Sequence, residues 1–494
     1  MTSSIYIGID NGTQGTKVIA YSPDEKKILA TGYSAHKTIS NNEGRREQDP
    51  QWWIDAADEA MKKVLSDPNV DPKKVKGIGV SGQQHGCVVL DSEGKVLRPA
   101  KLWCDTETSP ECDYLTNKLG GIEKVVELIG NSIAAGFTAS KVLWIKNHEP
   151  ETYEKIKMIL LPHDYMNYWL TGNYTTDMGD ASGTAYFNVR TRTWSNEILN
   201  AIDEKRDWSK CLPTILKWNE KAGTVRKEIA DKYGFSSDVI VSSGGGDNMM
   251  AAIGTGNVKP GVITCSLGTS GTIFSYASSP IVDKQGELAA FCSSNGGWLP
   301  LICTMNVTVS TEQVRSLLNV DIKEFNDLVI QAKPGSDGLR LLPYFNGERT
   351  PARPKGHAVF SGITSSNFTR ENLARCAMEG ATMSIRYGID ILERCGIKKS
   401  EVRLVGGGSK SLIWRQIIAD VFDCPVVIPD AAEAGAMGGV LQAMSCVTGK
   451  DLIELCDEHV KVSGSKLMPI PENVKVYETV YKEYLNLDKA SQQL

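Results

Sequence analysis

The chain predicts an α/β protein built from two related domains, and three observations carry that prediction. At 494 residues it is too long for one ordinary core and fits two domains of about 200–250 residues each. The phrase Gly-Thr-x-Gly-Thr occurs twice, at 12–16 and at 268–272, separated by about half the chain. The second half also repeats a succession of apolar strand, glycine loop and apolar helix, at 239–253 and again at 402–421.

Each Gly-Thr phrase lies between β-branched stretches. Ile5-Tyr6-Ile7-Gly8-Ile9 precedes the first and Val18-Ile19-Ala20 follows it; Val262-Ile263-Thr264 and Ile273-Phe274 flank the second. Both therefore read as tight β-hairpins. Glycine leaves bare backbone at such a tip, so N–H groups and threonine hydroxyls form a concave cradle for phosphate. Next, Asp49-Pro50 starts a helix, with Trp53, Ala56, Ala57, Ala60, Met61, Val64 and Leu65 on its sheet-covering face. A strand at Gly77–Val80 runs into the polar loop Ser81–Gly86, and a second strand, Cys87–Leu90, ends at the turn Asp91–Gly94. Gln83-Gln84-His85 in that loop offers neutral donors and acceptors, which suit an uncharged polyhydroxylated ligand. Trp103 with Asp105 offers an aromatic wall beside a carboxylate, a common grip on a sugar. From Gln48 to about Asn200 helices mix with irregular aromatic-rich segments, one helix beginning within Gly136–Trp144.

The strand Val239–Ser243, the loop Gly244-Gly245-Gly246 and the helix from Met249 place Asp247 at a helix N-terminus, where free N–H groups favour its anion. Val402–Val405, Gly406-Gly407-Gly408-Ser409 and a helix carrying Trp414, Ile417, Ile418 and Val421 repeat the arrangement; the glycines admit a flat ring or a phosphate. Ala431–Ala443, rich in Ala and Gly, reads as a helix pressed tightly on a neighbour, and Val474–Leu487 as a terminal helix.

With 41% hydrophobic and 23% charged residues and a net charge of −5, the composition is that of a soluble globular protein without a nucleic-acid footprint. The twelve cysteines are dispersed, with no Cys-x-x-Cys pair, and read as reduced core residues. No run approaches the ~18 apolar residues of a membrane span, and the first strand starts within a few residues of Met1. A cytoplasmic protein with small-molecule partners and no membrane association is expected; a homodimer is left open.

Phosphoryl transfer needs phosphate cradles, a divalent cation and a base for the attacking hydroxyl. Asp10, at the mouth of the first hairpin, suits Mg²⁺, held directly or through water, and Lys17 reaches the same phosphates. Asp247 is the candidate base.

These residues resemble the FGGY family of carbohydrate kinases. The resemblance runs over nearly the whole chain, through Ile7–Thr13, Gly136–Trp144 with Lys141 central, Gly244–Asn248, Ser266–Ser270, Gly356–Gly362 leading to Glu379-Gly380, and Gly406–Ser411. Gly82–Gly86, Phe137–Lys141 and Leu342-Pro343-Tyr344 with Gly347-Glu348-Arg349-Thr350-Pro351 are most like the members that phosphorylate D-xylulose. The resemblance implies two RNase H-like α/β domains of the actin, hexokinase and Hsp70 superfamily flanking a central cleft. The first, 1–255, would carry the sugar site and first phosphate hairpin; the second, 256–494, the second hairpin and the adenosine site. It implies transfer of the γ-phosphate of ATP to the 5-hydroxyl of D-xylulose, with ATP and Mg²⁺ required. Asp247 would be the base, with Gln84, His85, Trp103, Asp105 and Asn248 on the sugar. Gly12, Thr13, Gln14, Lys17, Gly268, Thr269, Gly407, Gly408 and Ser411 would face ATP, and Asp10 and Asp247 the metal. Two departures stand out: Trp103-Cys104-Asp105-Thr106-Glu107 replaces a family segment that often reads Trp-Asn-Asp plus a basic residue, and Leu412 and Ile413 replace amides near the adenine. The rival readings are a family kinase for another ketose or polyol, such as ribulose, L-xylulose or glycerol, and an ATP-driven switch or sugar sensor.

Overall fold

A computed structural model describes residues 4–430 and 433–492. Along the chain, the elements that position the site are β1 (Ile5–Asn11), β2 (Gly15–Ser22), β3 (Lys27–Ala35), α1 (Pro50–Leu65), β4 (Val75–Gly82), α2 (Thr138–His148), α3 (Pro162–Thr171), β5 (Ile240–Ser242) and α4 (Asp247–Gly254). They are followed by β6 (Val262–Leu267), β7 (Gly271–Ser275), β8 (Trp298–Thr304), α5 (Thr308–Leu318), α6 (Arg370–Arg394), β9 (Glu401–Val405), α7 (Leu412–Phe422), β10 (Val426–Pro429), α8 (Ala434–Thr448) and α9 (Pro471–Ser491). Among the described residues no helix is long and apolar enough to cross a membrane.

The packing divides into two compact units. One holds Met1–Lys259, Tyr276–Leu299 and Ala431–Val460; the other holds Pro260–Ser275, Pro300–Asp430 and Lys461–Leu494. A single cut near 255 therefore differs from the packing, because α8 returns to the first sheet rather than joining the sequence around it. Ala431 and Ala432 of the expected helical stretch lie outside the described residues.

In the first unit the sheet runs β3-β2-β1-β4-β5; β1 is antiparallel to β2 and parallel to β4, and β5 is parallel to β4. In the second unit β8, β7, β6, β9 and β10 repeat that order and those directions. The duplicated Gly-Thr phrase thus marks a duplicated sheet, each copy turning the first strand into the second. Asn11 pairs Thr16 at one tip and Leu267 pairs Gly271 at the other.

One face of the first sheet buries Ile7, Ile9 and Val18 against Trp53, Ala57, Ala60 and Met61 of α1, whose N-cap Asp49 accepts from the Gln51 N–H. The opposite face buries Tyr6, Ile19 and Tyr21 with Met250 and Ile253 of α4 and Ala436, Val440 and Leu441 of α8. Glycines permit that approach. A Cβ on Gly8 or Gly79 would overlap the carbonyl oxygen of Ala436 or Gly439, and one on Gly438 that of Met250. A third cluster, around Val142, Leu143, Trp144 and Ile145 of α2, organises the aromatic-rich region.

Candidate active site

In the first unit Asp10 lies one residue from the end of β1, opposite Lys17 on β2 and Ser81 on β4. Ser81 Oγ donates to Asp10 Oδ1 at 2.7 Å, and Lys17 Nζ pairs with Glu433 at 2.5 Å. Loss of water raises the Asp10 carboxyl above its ordinary value, against the bond from Ser81 and the charge of Lys17. The tip is tied back by its carbonyls: Gln48 Nε2 donates to Thr13 O at 2.7 Å, the His36 N–H to Gln14 O at 3.1 Å, and the Gly12 N–H to Gly15 O at 3.1 Å.

Asp247 opens α4, immediately after Gly245-Gly246 pairs with the end of β4. Its Oδ1 accepts from the Asn248 N–H at 2.7 Å and from Asn248 Nδ2 at 2.9 Å. The same Nδ2 donates to Gln84 Oε1 at 2.8 Å, so Gln84, Asn248 and Asp247 form one hydrogen-bonded row. Dehydration pushes the Asp247 carboxyl up to about 7, and the charges of Asp10 and Asp180 add to the rise. Asp180 belongs to a buried group behind it, accepting from or paired with His163 Nδ1 at 2.7 Å, while His163 Nε2 stands 3.0 Å from Asp164. Burial alone would lower His163; Asp164 and Asp180 outweigh it and hold the imidazole well above its ordinary value.

His85 takes a left-handed backbone, with φ of 63°. Its carbonyl accepts from Lys141 Nζ at 2.7 Å and Thr138 Oγ1 at 3.2 Å, and its ring packs 4.6 Å from Phe137 and 5.5 Å from Phe291. Lys141 is fully buried, and dehydration lowers its ammonium to about 8. The sequence reading marked Lys141 within a motif but missed that it fixes the Gln84-His85 loop. An ammonium at an otherwise apolar helix position was the available signal.

Trp103 Nε1 donates to Thr13 Oγ1 at 2.9 Å, which joins it to the first hairpin tip. Asp105 differs from expectation: it is fully buried and accepts from the Arg46 N–H at 2.8 Å and the Glu107 N–H at 3.1 Å. Lys101 Nζ, also fully buried, stands 3.3 Å from Asp105, 3.2 Å from Glu47 and 2.5 Å from Glu107, over the Trp144 ring at 3.9 Å. Glu47, Asp105 and Glu107 have the spacing of a cation site, and the Lys101 ammonium stands among them. Asp105 is thus committed to an internal ion cluster instead of being displayed to a sugar.

In the second unit Gly268-Thr269 form the tip between β6 and β7, and the Gly406–Gly408 loop packs on the same strand end. A Cβ on Gly406 or Gly408 would press on Leu267, whereas one on Gly407 would meet open space. Ser411 caps α7, its Oγ accepting from the Trp414 N–H at 3.3 Å and donating to Asn326 Oδ1 at 2.7 Å. Its hydroxyl is therefore engaged in the fold.

Residues 5–254 match the N-terminal domain, and residues 263–446 the C-terminal domain, of the FGGY family of carbohydrate kinases. Xylulose kinase from Haemophilus influenzae is 48% identical over 97% of this chain and 99% of its own length. Crystal structures of a "xyloylose kinase" from Brucella ovis and of xylulose kinase from Bifidobacterium adolescentis superpose with TM-scores of 0.93 and 0.85, each at 30% identity. The first pairing covers 99% of both chains, the second 97% of this chain and 99% of the other. With the duplicated sheet, the paired hairpins and both domain models in agreement, this chain belongs to the FGGY family of carbohydrate kinases and has its two-domain α/β fold.

Proposed function

We propose that this chain transfers the γ-phosphoryl group of ATP to the 5-hydroxyl of D-xylulose. The observation that carries the reading is the row Gln84–Asn248–Asp247, in which neutral amides adjoin a carboxyl raised to about 7. A carboxylate of that basicity can take a proton from a sugar hydroxyl, and amides recognise hydroxyls without demanding charge. The 48% identity to a xylulose kinase supports the ketose assignment. Asn248 holds Asp247 Oδ1, so Oδ2 is the oxygen assigned to receive the proton. Gln84 and His85 orient the sugar; the Lys141 ammonium holds the His85 carbonyl and thereby the loop. Gly12, Thr13, Gln14 and Lys17 are assigned to ATP, as are Gly268, Thr269, Gly407 and Gly408, with Lys17 exchanging Glu433 for phosphate. No disulfide joins the twelve cysteines, which suits a reducing cytoplasm.

The residues around Asp10 fit Mg²⁺. A Cβ on Gly435 would come within 2.8 Å of the Asp10 carboxyl, so only glycine keeps that side of the carboxylate clear of a side chain. Burial raises both the Asp10 and Asp247 carboxyls, and the charge of Asp10 adds to the rise of Asp247, so a bound cation would favour the ionised form of both. Asp10 would hold Mg²⁺, which would supply screening of the phosphate oxygens when bound.

The test is ADP release with Mg-ATP against D-xylulose, D-ribulose, L-ribulose, L-xylulose, glycerol and gluconate, with a no-sugar control. Strong preference for D-xylulose is expected. Asp247→Ala is expected to keep Mg-ADP binding while turnover falls by about a hundredfold to ten-thousandfold. Normal turnover by that variant refutes the base, and sugar-independent ADP release refutes the kinase reading.

A further inference from the structure

The segment Gly347-Glu348-Arg349-Thr350-Pro351 stands out in the sequence yet takes no part in the mechanism above. Glu348, in the second unit, is a buried carboxylate bonded almost wholly to backbone. Its Oε1 accepts from the Met305 N–H at 2.7 Å and the Arg349 N–H at 2.8 Å, and its Oε2 from Asn306 Nδ2 at 3.1 Å. Asn306 is fully buried as well; its Nδ2 also donates to Gly347 O at 2.6 Å, and its Oδ1 accepts from the Asn346 N–H at 3.2 Å. The two loops are thereby stitched together by charge-assisted and neutral bonds in a buried site.

The next two residues continue the chain of contacts. The Val307 N–H donates to Thr269 O at 3.1 Å, and the Thr308 N–H, at the start of α5, to Gly268 O at 3.0 Å. The carbonyls of the second Gly-Thr tip are thus turned toward 307–308 and held there. The far side of the Glu348 loop is anchored independently, by Arg353 on Asp488 of α9 at 2.9 and 3.2 Å and by Tyr344 on the same carboxylate at 2.9 Å. Glu348 therefore lies between a rigid anchor on α9 and the two residues that orient the hairpin.

We propose that Glu348 is a positioning residue that sets the conformation of the Gly268-Thr269 hairpin through Met305, Asn306, Val307 and Thr308, and so controls nucleotide affinity without touching nucleotide. The assignment of that hairpin to ATP rests on the function proposed above. Burial raises the Glu348 carboxyl above its ordinary value, against its backbone bonds, so its charge is held there at an electrostatic cost.

The test uses Glu348→Gln in the full chain, with residue-resolved amide exchange and calorimetric Mg-ADP binding without sugar. A Gln amide presents a donor where Glu348 presents only acceptors, so one bond to Met305, Arg349 or Asn306 becomes a clash of donors. Faster exchange is expected at Val307, Thr308 and Gly268, whose amides do not bond to Glu348, together with Mg-ADP affinity about tenfold to a hundredfold weaker. KM for ATP should rise while KM for the sugar stays within about twofold. Unchanged exchange at those three amides overturns the proposal. Faster exchange with unchanged Mg-ADP affinity overturns its premise, that this hairpin binds nucleotide, and leaves the mechanical link standing. Should Glu348→Gln fail to fold, Asn306→Ala cuts the same stitch and is read by the same outcomes. Asp488→Asn, which weakens the far anchor but leaves Glu348 bonded, should speed exchange at Gly268 less than Glu348→Gln does; an equal or larger effect overturns the assignment to Glu348.

Discussion

Burial of the Asp247 carboxyl costs stability wherever the group is ionised. Its value in the unfolded chain is near 3.8 and in the folded chain about 7. Between these the unfolded state loses its proton first, so stability falls as pH rises from about 4 to about 7 and stays low above. Asp247→Asn removes the titration. It should be more stable than the parent at pH 8 by roughly 1–3 kcal/mol, with the difference vanishing near pH 4, while phosphorylation is lost. Thermal melts at both pH values check this, and equal melts at pH 8 refute it. The placement of Asp10 near a strand end and of Asp247 at a helix start was legible in the sequence because local signals set both. Asp105 was misread because its environment is made by residues distant in the chain: Lys101 pairs across a ladder with Glu47, and Arg46 donates to Asp105 itself.

At the scale of elements, α8 was legible as a tightly packed helix from its Ala and Gly content, but its partner was not. A composition rich in small residues says that something comes close, without saying what. The partners are β1, β4 and α4, met through Gly8, Gly79 and Gly438. Gly438→Ala would drive a methyl into the Met250 carbonyl of α4 and push the helices apart. A loss of about 1–3 kcal/mol is expected, hence a melting temperature lower by several degrees, because backbone on both sides leaves no flexible side chain to yield. An unchanged melting temperature would mean that α8 sits more loosely than its contacts indicate. The hairpins and the first helix were read correctly for the opposite reason: glycine turns, strand alternation and the Asp49-Pro50 start are local signals.

For the whole molecule, the duplicated phrase foretold two sheets of one topology, and both have it. What periodicity does not encode is chain routing: helix signals look the same whichever sheet the helix finally covers. Residues 1–259 expressed alone lack α8, leaving the sheet face of Tyr6, Ile19 and Tyr21 without much of its cover. That fragment should bind a hydrophobic dye, lack near-ultraviolet circular dichroism and aggregate. Appending both 276–299 and 431–460 through flexible linkers should restore native-like spectra. A soluble, well-packed 1–259 fragment would show that α8 is dispensable to the first core.

The return of α8 also fixes an order of events during synthesis. The first sheet is translated early, yet the helix that covers one of its faces is made only when the ribosome has passed residue 448. Until then the nascent chain carries an open apolar face, while much of the second unit emerges after it. The slowest and most chaperone-dependent stage of making this protein should therefore be the completion of the part translated first, and premature termination before α8 should be costlier than its small share of the chain suggests.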